Sequence, residues 1–225
     1  MRHADTLAQR SFWFLRHGET DWNAKGLAQG DVDTPLNPAG IAQAQAAALL
    51  MRHRGVVSII ASPLSRATKT AQAICGGRTG LTLEFDEGLL EISHGKWEGL
   101  LATDVQRDHA EMFGTWRSKP GRDVPAGPEA ETLGDVEQRA WAVVEKVFMR
   151  MTPTSTALVV AHDAVNRVIL CRVLGLPLER VWKFRQAPAA LKVLSGASLA
   201  ELTVVRLNDS DHSQPLVSTA VHAAL

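Results

Sequence analysis

The sequence predicts an α/β protein, a three-layer α/β/α sandwich on a mostly parallel sheet with a hairpin at one edge. Two observations carry that expectation. Short, near-continuous apolar runs alternate with longer helical segments, and each of three such runs passes straight into a loop or helix start that holds His or Arg. A length of 225 residues suits one domain over 1–225, with a core at about 12–206, an insert at about 92–131 and a tail at 208–225.

The elements follow in order. SFWFL at 11–15 is a short apolar strand ending in RHGET, and AGIAQAQAAALLMRHR at 39–54 is a helix with Pro38 before it and Gly55 after it. VVSIIA at 56–61 is a β-branched strand running into SPLSRATKTAQAI, where Ser62 suits an N-cap and Pro63 the first helical position. Leu81–Phe85 reads as another strand and Thr132–Met151 as a long amphipathic helix. Between them, 116–131 holds three prolines and two glycines and predicts a surface loop. TALVVA at 156–161 is a third buried strand, followed by a helix ending at Gly175 with Pro177 beyond. ALKVL and AELTVVRL flank SGAS as an edge hairpin, and the residues from Asn208 predict a loosely held tail.

Composition narrows the function classes. Lys plus Arg equals Asp plus Glu at 24 each, so no net field exists to gather nucleic acid or an anionic membrane. Any anion site is therefore local. The five-residue apolar run near the N-terminus is too short for a signal-peptide core or a span. Cys75 and Cys171 have no partner at a metal or redox spacing and are expected to be small buried hydrophobes, which together point to the cytoplasm. The chain has six Trp, six Phe and no Tyr.

In open α/β sheets ligands bind beyond the carboxyl ends of the strands. Those positions hold Arg16-His17, Ser62 to Arg66, and His162, beside two predicted helix N-termini that favour anions. Two histidines and two arginines on one sheet edge form a phosphate pocket. Guanidinium groups grip phosphate oxygens, and a neutral imidazole can attack phosphorus.

FLRHGETDWN at 14–23, SPLSRATKTA at 62–71, GLLEISHGKWEG at 88–99 and VVAHDAVNR at 159–167, with LAQGDVDTPLNPAGIAQAQ at 27–45, resemble the histidine phosphatase superfamily, in its phosphoglycerate mutase-like branch. The resemblance covers 12 to about 206. It implies that His17 is the nucleophile, that Arg16, Arg66 and His162 bind the phosphoryl oxygens with help from Asn23, and that Glu91 is the proton donor. By residue type alone Glu84, Asp86, Glu87 and Glu98 are equally eligible as the acid. Gly18, Thr20, Gln29, Ser62 and Asp163 join Asn23 as phosphate- or substrate-binding candidates, and neither a metal nor another cofactor is called for.

His94, Lys96, Trp97 and Trp22 are expected on the leaving-group side, with specificity supplied by 92–131 through Trp97, Trp116, Arg117, Lys119 and Arg122. His3, His53, His109, His212 and His222 read as surface. Asp163 stands where family members commonly carry Gly, and it either caps the next helix or turns toward His162 to favour the imidazolium. The family's mutases clamp a second acidic group with a Tyr and an Arg-Arg pair, both missing here. The expectation is therefore a metal-independent phosphomonoesterase acting on a small phosphate ester. A cofactor-primed mutase and a non-catalytic phospho-ligand module are the alternatives. The edge hairpin leaves homo-oligomerisation open.

Overall fold

The computed structural model describes residues 9–216. Six strands form one sheet: β1 (Arg10–Arg16), β2 (Val56–Ala61), β3 (Thr82–Phe85), β4 (Thr156–Ala161), β5 (Leu191–Gly196) and β6 (Thr203–Asp209). Their order is β3-β2-β4-β1-β5-β6. The first four run parallel, and β5 and β6 are antiparallel additions, so the expected hairpin does close the edge. Among the described residues seven α-helices accompany them: α1 (Asp21–Lys25), α2 (Pro38–Met51), α3 (Ser65–Cys75), α4 (Ala102–Asp108), α5 (Ala110–Ser118), α6 (Leu133–Arg150) and α7 (Asp163–Val173).

Strand alternation divides the core into two layers. Leu15, Ile59, Ala61, Leu158, Val160, Leu191 and Val193 pack with α2 and α3. Phe12, Phe14, Ile60, Val159, Ala161 and Leu194 face the other way, onto α6 and α7. Both faces of the sheet are thus covered, which is why its central strands are apolar at nearly every position. None of the described helices is long and apolar enough to cross a membrane.

Two glycines bring α2 against the loop after β1. A Cβ on Gly40 would lie 2.0 Å from the Glu19 carbonyl oxygen, and one on Gly18 would lie 2.4 Å from that of Gly40. Backbone meets backbone here, so neither neighbour can yield by a rotamer change. Gly40→Ala is expected to cost about 1–3 kcal/mol by overpacking, and to lower activity through the displaced 17–19 loop. Chemical denaturation beside a kinetic assay checks both, and an unchanged midpoint would show that the helix simply slides.

Several expectations are corrected. Ser62 does not cap α3 and Pro63 is not in it: the helix begins at Ser65, preceded by Leu64 in extended conformation. The first-turn donor is satisfied from outside instead, by Asp33 Oδ1 accepting from the Ser65 amide at 2.7 Å. The segment 116–131 is not all surface loop. Its first three residues close α5, and Trp116 is fully buried. Trp97 is equally buried, and with Val105 and Trp116 it belongs to the core that α6 and α7 share. The 92–131 segment is therefore anchored by its own aromatics, while its first residues, Ile92 and His94, reach the cavity at the sheet edge. The chain from Asn208 finishes β6 and makes a 3₁₀ turn, Asp211–Leu216, that packs on α2. His212 is half-buried there rather than at the surface. His3, His222 and the tail from 217 onward lie outside the described residues. Cys171 is buried, but Cys75 is only partly so.

Candidate active site

The adjacency of β2, β4 and β1 puts their carboxyl ends side by side, as the chain pattern requires. Arg16 closes β1, His17 follows it, and His162 follows β4. The His17 amide donates to the Ala161 carbonyl at 3.0 Å, extending the β1–β4 ladder by one residue. That bond holds the two imidazoles with centroids 5.1 Å apart and planes at 57°.

The His17 ring has a defined tautomer. Its Nδ1 lies 2.7 Å from the Gly18 carbonyl oxygen, which can only accept, so Nδ1 carries the hydrogen. The lone pair is left on Nε2. His162 is fully buried, and neither ring nitrogen has a hydrogen-bond partner among the described residues. Burial, then the charges of Arg66, His17 and Arg16, push its pKa well below the ordinary imidazole value. A neutral His162 thus stands against the His17 ring in a cationic setting.

A cavity of about 70 Å³ opens at this edge. Its lining includes Arg16, His17, Asn23, Gln29, Glu91 and Asp163. In both amides the carbonyl oxygen is already used. Asn23 Oδ1 accepts from the Thr20 amide at 3.1 Å, and Gln29 Oε1 accepts from the hydroxyls of Thr20 and Thr34 at 2.5 and 2.8 Å. Each is left with N–H donors, the polarity an anion requires.

Thr20 and Gly18 therefore act behind the lining: Thr20 orients Asn23 and Gln29, and Gly18 orients His17. Ser62 is fully buried, with its hydroxyl 3.4 Å from the Leu64 amide and away from the cavity lining. Arg66 is also fully buried. Its Nη1 and Nη2 donate to the Val32 and Gly30 carbonyls at 2.8 Å each, so it supplies charge from behind while holding the 30–32 loop. Burial lowers its pKa to about 10, which leaves it cationic.

Glu91 reaches the site from the loop after the 3₁₀ turn Glu87–Leu89. Its Oε2 accepts from the Asp163 amide at 2.9 Å, and its Oε1 from the amides of Ile92 and Ala164 at 2.9 and 3.2 Å. It thereby caps α7, whose N-cap residue, His162, makes no side-chain cap bond. Burial and the charge of Asp163 nevertheless raise its pKa. The two helix N-termini expected to attract phosphate thus hold Asp33 and Glu91 instead.

Asp163 neither caps α7 nor turns to His162. Its Oδ2 accepts from Arg167 Nε at 2.8 Å and its Oδ1 lies 3.5 Å from Arg16 Nη1, so two guanidinium groups outcompete an imidazole already depressed by burial. On the leaving-group side His94 lines the cavity as expected, with Nδ1 2.9 Å from the Ala126 carbonyl oxygen and its pKa lowered by burial. Its Nε2 is therefore an acceptor. Lys96 is instead an exposed partner of Glu129, Arg122 pairs with Glu137, and Trp22 and Trp97 are off the lining. Trp182, Gln186, Arg167 and Lys192 are additions that the sequence reading passed over. Only Arg167 sits in a quoted motif, whereas Lys192 announced itself as a lone charge inside an apolar strand.

The description of the histidine phosphatase superfamily, branch 1, fits by family model over residues 12–210. The chain belongs to that superfamily. Phosphoserine phosphatase 1 of Hydrogenobacter thermophilus is 31% identical over 180 residues, covering 80% of this chain and 83% of the relative. Adenosylcobalamin/alpha-ribazole phosphatase of Salmonella typhimurium is 32% identical over 176 residues, covering 77% and 84%. A mycobacterial glucosyl-3-phosphoglycerate phosphatase, solved in complex with VO3, superposes with a TM-score of 0.81 at 29% identity, covering 89% of this chain and 99% of that one. This chain is a histidine phosphatase by family, and the relatives differ in the esters their names give.

Proposed function

We propose that the protein is a metal-independent phosphomonoesterase that hydrolyses a small phosphate ester through a phosphohistidine on His17. The observation that carries this reading is the His17 tautomer, because a hydrogen held at Nδ1 by the Gly18 carbonyl leaves Nε2 nucleophilic beside Arg16. Phosphoryl transfer needs positioning and charge more than covalent help, and Arg16, Arg66, Asn23, Gln29 and the two imidazoles supply donors and charge around one small cavity.

In the first half-reaction Nε2 of His17 attacks phosphorus and the P–O bond to the leaving group breaks. The carboxyl of Glu91 gives its proton to the departing oxygen. In the second half the Glu91 carboxylate takes a proton from water, that oxygen attacks phosphorus, and the P–N bond breaks to free orthophosphate and restore His17. A raised carboxyl pKa serves the first step, and the carboxylate that the proton transfer leaves serves the second.

The leaving-group side is short and mixed, with Leu27, Ile92, His94 and Trp182. An acceptor at His94 Nε2 favours a leaving group that carries its own N–H or O–H donor, so the substrate class is a small polar phosphate ester. The mutase alternative lacks support on this wall, because among the described residues no second cluster of cations lines it.

Hydrolysis of an aryl phosphate in the presence of EDTA is the test. Turnover that survives chelation is expected, and turnover restored only by added metal would overturn the proposal. Isomerisation of 3-phosphoglycerate stimulated by bisphosphoglycerate, with no net phosphate release, would favour the mutase.

A further inference from the structure

One lysine is unexplained by either fold or chemistry. Lys192 of β5 is fully buried, and its Nζ has no hydrogen-bond partner among the described residues. It lies opposite Phe14 of β1 in the antiparallel register, and the Arg16 amide donates to the Ala190 carbonyl one step further along. Alternation then places Lys192 on the same face as Phe14, Leu194 and Arg16, the face covered by α6 and α7.

The charged groups that act on Lys192 there are Asp163 and Arg167 from α7 and Arg16 from β1. Asp163 joins them: it bonds Arg167 at 2.8 Å and approaches Arg16 at 3.5 Å. Arg16 and Arg167 are each anchored further, Arg16 Nη1 on the Gln186 carbonyl at 2.8 Å and Arg167 Nη1 on the Val181 carbonyl at 3.2 Å. Gln186 in turn donates through Nε2 to the Asp163 carbonyl at 2.7 Å. One carboxylate is therefore set against three buried cations. An unpaired buried ammonium works against folding, and a well-packed apolar residue would be more stable at its place. A dianion entering at Arg16 would offset the excess positive charge around Lys192.

We propose that Lys192, buried on the face of the sheet that carries Arg16, sets through its charge how strongly the pocket holds a phosphate dianion. Lys192 is here a positioning residue acting through Asp163 and Arg16. Burial lowers its pKa to about 7, so its charge changes around neutrality. A dianion beside Arg16 favours the ammonium, and anion binding draws a proton onto Lys192. Above neutrality the ammonium is lost and affinity falls.

This inference rests on the phosphate-pocket reading, and sulfate separates the two because its charge is constant from about pH 5.5 to 9. Its competitive inhibition constant against an aryl phosphate would be measured over that range at fixed ionic strength, with proton uptake on binding followed by an indicator dye. For the wild type the constant is expected to rise by about five- to tenfold around neutrality, with proton uptake near pH 8. Lys192→Met is expected to hold the weak value at every pH without proton uptake, at an equal or higher melting temperature. Lys192→Arg is expected to hold the tight value throughout.

A Lys192→Met protein with the wild-type step and uptake would overturn the inference while leaving the pocket intact. A wild type that sulfate does not inhibit would overturn the pocket reading itself. If Lys192→Met does not fold, the wild-type uptake and the Lys192→Arg profile still decide: no uptake, or a step preserved in the arginine variant, defeats the proposal.

Discussion

Replacing His17 with alanine is expected to remove phosphatase turnover by at least about 10³-fold while leaving the fold in place. The hydrogen bond from His17 Nδ1 to the Gly18 carbonyl is local, to the next residue in the chain. The flanking backbone is held independently, by the amide of residue 17 on Ala161 and its carbonyl accepting from Ala189 at 3.1 Å. The melting temperature should therefore stay close to that of the wild type, and sulfate should still bind at Arg16. Initial rates on an aryl phosphate, beside a thermal melt, check this. A variant with more than about a tenth of wild-type turnover would mean that water attacks phosphorus directly.

The second large effect concerns Glu91. Glu91→Gln keeps an oxygen to accept from the amides that open α7 and removes the proton the leaving group needs. Turnover on alkyl phosphates is expected to fall by about 10²–10⁴-fold. An aryl phosphate with a good leaving group needs no such proton in its first half-reaction, so the deficit there should be much smaller. The contrast between the two esters, more than either rate, identifies the role.

The pH dependence has a definite sign. Burial and Asp163 raise the Glu91 pKa, so the native state holds this proton more tightly than the unfolded chain. The stability Glu91 contributes is present below its unfolded value and is lost as pH rises through its native value. Glu91→Gln should accordingly be at least as stable as the wild type near neutrality, and should lose the alkaline limb of kcat on alkyl esters. A lower melting temperature at neutral pH would show that the charged carboxylate's cap on α7 outweighs its burial.

Much of this was legible in the chain because it rests on local rules. Apolar runs of five or six residues marked the strands, and a strand-end histidine is conspicuous twice, at His17 and His162. What was not legible depends on groups distant in sequence. The start of α3 moved two residues because Asp33, not Ser62, meets its first free amide. Trp116 sits among turn-forming residues yet is buried against Trp182, with ring centroids 5.2 Å apart, which no local pattern reveals. Asp163 was read against its neighbour His162, whereas its partners are a residue one turn along α7 and another on β1. Arg66 and Ser62 were expected to meet the phosphate directly, whereas Arg66 donates to the carbonyls of the 30–32 loop and the Ser62 hydroxyl lies against the Leu64 amide.

The central claim is that the phosphoryl group rests on His17 between the two half-reactions. Mixing enzyme with an isotopically labelled aryl phosphate, quenching in alkali and mapping the labelled peptide by mass spectrometry tests it directly, since a phosphoramidate survives base and is lost in acid. The account predicts an alkali-stable, acid-labile phosphoryl group on His17, absent from the His17→Ala variant. Label on any other residue, or full turnover with no covalent label at any time after mixing, would contradict it.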